Sequence, residues 1–203
     1  MKIKIPIIAL IPVLIGIVLL CVSCSKKDDK SNQASNKATI SIGEWNGNKY
    51  SNKLIKAKIN LPDGWEKYSD KELADLMNLK EEELGKDNIN NIIEKQPVYV
   101  MNARDLYTGA TIMIMIEKEN VTEEYYLESL KEQLEQEQTI DYKVSEIEKM
   151  IIAGEEYKTL NSEMTEYGIY QSYYINKKDD YIINIMTTTM KKNQQKQILG
   201  FFE

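Results

Sequence analysis

The run Ile112-Met113-Ile114-Met115-Ile116 constrains the fold more than any other stretch of this sequence. Successive side chains of a strand point to opposite faces, so five large apolar residues in a row make both faces apolar. The chain is therefore expected to place this strand in the middle of a sheet and to cover it on two sides. Its neighbours can be read from the same sequence. Pro97 ends the preceding region, and Val98 to Ala103 with Ala110 to Glu117 read as a hairpin around Tyr107-Thr108-Gly109. Thr122 is placed to cap the next helix, with Val121 and Tyr126 as its hydrophobic staple. Leu127, Leu130 and Leu134 recur at helical spacing and supply that helix with a buried stripe.

After Tyr142 four strands are expected, with turns near Ala153-Gly154, Tyr167-Gly168 and Lys178-Asp179-Asp180, then a short helix burying Ile198, Phe201 and Phe202. Upstream, Ile55, Ala57, Ile59 and Leu61 alternate with Lys56, Lys58 and Asn60, the pattern of a half-buried strand. Pro62-Asp63-Gly64 stops it. Ser69 and Glu72 then form a capping box, with Tyr68 and Leu73 placed as the staple. That helix runs through Leu76 and Met77, and a second helical piece is expected between Asp87 and Glu94. The whole reads as an α+β domain over residues 39–203, a mostly antiparallel sheet with helices packed on both faces.

What precedes the domain is an address. Lys2 and Lys4 open a run that is almost wholly apolar from Ile5 to Val22, followed by Ser23 and Cys24. A basic start, an apolar stretch and a small residue before a cut site make a secretory signal. The Ser23-Cys24 junction resembles the bacterial lipoprotein signal, in which the cysteine carries a lipid and becomes the first residue after cleavage. Cys21 stands where that family usually has leucine. The resemblance implies a signal peptide over residues 1–23, lipid attachment at Cys24, and a domain held at the outer side of the cell membrane. An uncleaved anchor would give the same topology, since Lys2 and Lys4 keep the amino end inside. Residues 25–38 carry no bulky apolar side chain and read as a flexible linker spanning roughly 20 Å.

Reading Cys21 and Cys24 as a redox or metal pair fails on its surroundings. A redox CxxC opens a helix in a folded domain, whereas this one sits in a hydrophobic segment. Zinc would need two more ligands, and the sequence has two cysteines and no histidine. After cleavage Cys24 is the sole cysteine, so no disulfide can form within the chain. The formal charge of −6 becomes −8 without Lys2 and Lys4, which makes nucleic acid a poor partner.

From Trp45 onward the order of elements becomes familiar. Trp45, Tyr50 and Asn52, the corner Leu61-Pro62-Asp63-Gly64-Trp65, and the Ala153-Gly154 turn followed by Tyr157 are similar to exported lipoproteins of Firmicutes. Their domain resembles the PsbP-like fold. The resemblance implies a PsbP-like sandwich and an accessory or scaffolding role, and it brings no catalytic residues.

Without histidine, Ser-His-Asp and Cys-His catalysis and zincin-type metal sites are excluded. The single Ser-x-x-Lys match, Ser23 to Lys26, falls on the cleavage site. Gly43 and Gly47 lack the spacing of a phosphate loop. Glu81-Glu82-Glu83 and the glutamates from Glu123 to Glu137 read as solvated helix faces. No cofactor, metal site or catalytic residue is expected. The feature that invites a sharper reading is the group Tyr167, Tyr170, Tyr173, Tyr174 and Tyr181 on one expected strand pair. These tyrosines either pack across strands or present an aromatic platform to a partner. Two functions follow as expectations. The first is a non-catalytic, lipid-anchored domain engaging a protein or cell-wall partner. The alternative is a small-molecule or cation-binding lipoprotein with a tyrosine/carboxylate cleft.

Overall fold

A computed structural model describes residues 40–85 and 88–203. The signal segment, Ser23, Cys24 and the linker lie outside the described residues, as does Asp87. Three short strands come first: β1 (Glu44–Asn46), β2 (Lys49–Ser51) and β3 (Lys58–Asn60), paired antiparallel in that order. The strand expected over Ile55–Leu61 is thereby corrected to three residues. Its burial does alternate, with Ala57, Ile59 and Leu61 buried between exposed lysines. However, Lys56 has φ of 57° and donates its N–H to the Asn52 carbonyl at 3.1 Å, closing a turn. Alternation reports which side is buried, not whether the backbone pairs.

The larger sheet begins with β4 (Trp65–Lys67), and α1 (Asp70–Leu76) follows. The capping box is complete: Glu72 donates its N–H to Ser69 Oγ at 3.3 Å, and Ser69 donates its own to the Glu72 carboxylate at 2.8 Å. After a 3-10 turn at Glu81–Leu84 come α2 (Ile89–Ile93), the hairpin β5 (Val98–Asp105) and β6 (Thr111–Lys118), and α3 (Glu123–Gln136). Thr122 caps α3, accepting from the Tyr125 N–H at 3.2 Å. The remainder is β7 (Tyr142–Val144), β8 (Glu148–Ile152), β9 (Glu155–Met164), β10 (Ile169–Lys178), β11 (Tyr181–Thr189) and α4 (Lys192–Leu199). Five strands thus follow Asp141 where four were expected, because β7 and β8 share one edge of β9.

The strand order is β4-β5-β6-β11-β10-β9-β7, with every pair antiparallel. Register assigns the faces. Ile112, Ile114 and Ile116 share one side with Ile183 and Ile185 and form the main core. Tyr50 and Ile59 of the small sheet, Leu73 of α1, Ile89 of α2 and Ile198 of α4 close over it. On the other side, Leu127, Leu130 and Leu134 of α3 are buried over β9 and β10, where Leu160 pairs with Tyr173. Helices therefore lie on both faces of a mostly antiparallel sheet, and the fold class is α+β.

Phe201 and Phe202 fall after α4 instead of within it. Asn60 donates to the Phe201 carbonyl at 2.9 Å, and Glu203 donates to the Lys58 carbonyl at 2.8 Å. The ring of Phe201 meets Trp65 edge-on at 5.3 Å. Among the described residues no helix is long and apolar enough to cross a membrane.

Candidate binding surface

The five tyrosines do not form a platform. Tyr173 and Tyr174 are each 2% exposed and Tyr181 is 8% exposed, so these three are packing residues. Tyr173 donates its hydroxyl proton to Gln171 at 3.1 Å. Tyr167 is exposed in the β9–β10 turn, and Tyr170 is half-buried on the opposite side from Tyr173. Tyr170 lies beside Glu163, whose charge raises its pKa. Together with Lys143, Lys192 and Gln195 they line a cleft of about 120 Å³. That is smaller than the several hundred Å³ of a usual ligand pocket. Trp45 and Trp65 are both half-buried, with the Lys67 ammonium 5.0 Å over the Trp45 ring. The glutamates of α3 mostly stand in solvent, as expected.

A different surface emerges from β6. The isoleucine side of its apolar run is fully buried, but Met113 and Met115 on the other side are only half-buried. Helix α3 packs chiefly on β7, β9 and β10 and reaches β6 through Tyr126 at Glu117, leaving Met113 and Met115 half-buried. The expectation of cover on two sides therefore holds for one side and fails for the other. Register puts Met186 opposite Met113, and Tyr99 opposite Met115. These four half-buried side chains form the outer layer over β5, β6 and β11. Arg104 and Glu66 pair at its rim at 2.6 Å, with the Tyr68 ring 5.9 Å from the guanidinium.

Beside this layer, on the same side of the sheet, the strands carry polar groups. Glu117 continues the side of Met113 and Met115 and is 5% exposed. Burial pushes its carboxyl up to about 7, because the charged form loses its hydration. The Tyr126 hydroxyl of α3 donates to Glu117 Oε1 and partly offsets that rise. Burial likewise holds the Tyr126 hydroxyl well above its ordinary range, reinforced by the Glu117 charge, while the adjacent Asn184 amide pulls it down. Asn184 (7% exposed) and Asn102 (5% exposed) each bury a side-chain oxygen without a partner among the described residues.

The sequence reading passed over Glu117, Asn184 and Asn102, although each interrupts an apolar run. A carboxylate two positions beyond Met115 on the same strand side was the available signal. The groups assembled here can accept hydrogen bonds and pack against a soft apolar surface. Among the described residues no cluster of three or more acidic or cysteine side chains is arranged to hold a metal ion.

No family model matches the chain, and no curated protein matches it. Among solved structures, the chain is similar to cyanobacterial PsbP (CyanoP) from Synechocystis sp. PCC 6803, determined in solution. The identity is 12%, the match covers 79% of this chain and 97% of that chain, and the TM-score is 0.47.

Proposed function

We propose that this chain is a non-catalytic binding or scaffold domain, anchored through a lipid on Cys24 at the outer side of the cell membrane, that docks a protein partner of the cell envelope on the methionine side of its sheet. The observation that carries the docking site is the half-buried layer Met113, Met115, Met186 and Tyr99, which no helix of the described residues packs across. Methionine is unbranched and polarisable, so such a layer can mould itself to a partner. Aromatic residues and methionine are also enriched where proteins meet. The anchor rests on the Ser23-Cys24 junction alone.

The two parts are tested separately in intact cells. Cys24→Ala should leave the signal uncleaved at this junction and change both the mass and the membrane partitioning of the protein. Unchanged mass and partitioning refute the anchor. A photo-crosslinking residue at Met115 or Met186 should capture a partner that the same residue at exposed Glu128 on α3 does not. Equal capture from the two positions refutes docking on the methionine side.

A further inference from the structure

We propose that the partner docked on the methionine side presents an organic ammonium, in the form of a lysine side chain, to Glu117 and to the side-chain oxygen of Asn184. The inference rests on the docking reading above and names the chemistry that the surface selects.

Glu117 is buried, and among the described residues no lysine or arginine lies within ion-pair distance of it. A carboxyl so placed is costly unless something positive or a donor meets it. Tyr126 has a single proton and gives it to Glu117. Asn184, beside the same hydroxyl, can therefore offer only its N–H to that oxygen. That fixes the amide and leaves Asn184 Oδ1 as the buried atom without a partner.

Register places Glu117 and Asn184 on the same side of the sheet as the methionines, beside them. Asn184 is opposite Met115 and so diagonal to Glu117, whereas Asn102, opposite Met113, lies roughly 13 Å further along β6 and takes no part. The unpartnered buried side-chain atom beside Glu117 is thus an acceptor. Native structures leave few buried polar atoms unsatisfied, and each such atom calls for a partner. An ammonium brings three donors and a charge. The Tyr99 ring, close enough to feel the Glu117 charge, supplies an aromatic wall for the cation and its alkyl stem. Flexible Met113 and Met115 can move aside to admit it.

The other charged and titratable groups around Glu117 are accounted for. Glu119, at the end of β6, adds negative potential. Glu123 of α3 accepts from the Lys177 backbone N–H at 3.0 Å, and the Lys177 ammonium is held by the Val121 carbonyl at 2.7 Å. Tyr99 and Tyr126 stay neutral in the physiological range, because burial raises both. Arg104 is engaged with Glu66 at the rim.

The test uses the full-length chain in detergent, with Nα-acetyl-lysinamide as the cationic probe and its Nε-acetylated form as the neutral control. The methyl resonances of Met113, Met115 and Met186 report binding. The cationic probe should shift them with an affinity about thirtyfold higher at pH 8.5 than at pH 5.5, as Glu117 loses its proton near pH 7. Glu117→Gln, which keeps an acceptor for Tyr126, should abolish that pH dependence. Asn184→Leu should weaken the probe and leave the pH dependence in place. If the neutral control shifts the methionines equally, or Glu117→Gln changes nothing, the cation inference is overturned while docking stands. If neither compound shifts them and the crosslinker at Met115 captures nothing specific, the docking reading falls too.

Discussion

Replacing Glu117 by glutamine should make the protein more stable at neutral and alkaline pH. In the unfolded chain this carboxyl titrates near 4.5, and in the fold burial pushes it up to about 7. The folded state therefore binds the proton more tightly than the unfolded state. The stabilisation linked to this proton is fully present below about pH 4.5, is lost as pH rises through the folded value near 7, and is flat only above about pH 8. At about 1.4 kcal/mol per pKa unit the loss amounts to about 3 kcal/mol. Glutamine keeps the shape and an oxygen for Tyr126 but has no charge to bury. Urea unfolding of wild type and Glu117→Gln across pH 4.5 to 8.5 gives the stability difference at each pH. Titration of every other carboxylate cancels in that difference. The variant should gain about 3 kcal/mol relative to wild type between the two ends. Parallel stability curves would mean that Glu117 is hydrated in the fold, and the reasoning from its burial would be wrong.

Three other substitutions probe separate links of the argument. Ser69→Ala removes the α1 cap and should cost about 1 kcal/mol; Glu72→Ala combined with it should cost less than the sum, read from a double-mutant cycle in urea, because the two residues share one box. Gly64→Ala is strained twice, by a φ of +89° and by a Cβ that would sit 2.4 Å from the Tyr107 ring; adding Tyr107→Ala should recover the steric part and leave a backbone cost of about 1 kcal/mol, and complete recovery of the midpoint would contradict this. Leu127→Ala, at a fully buried position, should cost about 2–5 kcal/mol; if α3 instead packs loosely, the loss will fall below about 1 kcal/mol in the same urea assay.

Much of the fold was legible because it is written locally. Ser69 with Glu72, Thr122, the Tyr107-Thr108-Gly109 hairpin and the turns at Gly154 and Gly168 all depend on residues within a few positions of one another. The strands that were missed, β1, β2, β4 and β7, have three residues each, too few for an alternation to stand out. The strand at Ile55 was drawn too long because burial on one side can be set by packing without a hydrogen-bonded partner. The candidate surface was not legible. Whether Met113 is covered depends on where α3 comes down, and that follows from Leu127, Leu130 and Leu134 finding β9 and β10, not β6. The tyrosines left two readings open for the complementary reason: an aromatic on a strand has the same local pattern whether a helix lies over it, as over Tyr173, or solvent does.

The bond pairs that tie Phe201 and Glu203 to Asn60 and Lys58 have a bearing on the order of folding. They make the last residues of the domain an added rung of a sheet built from its first. The hairpins β5–β6, β8–β9, β9–β10 and β10–β11 are sequence neighbours and can pair as soon as each is available. The small sheet cannot be completed until the carboxyl-terminal residues arrive, and neither can the roof that its Ile59 and Tyr50 put over the main core. Closing so long a loop is entropically slow and is rewarded only at the end. The amino-terminal strands should therefore acquire hydrogen-exchange protection last, although they are the first to be synthesised.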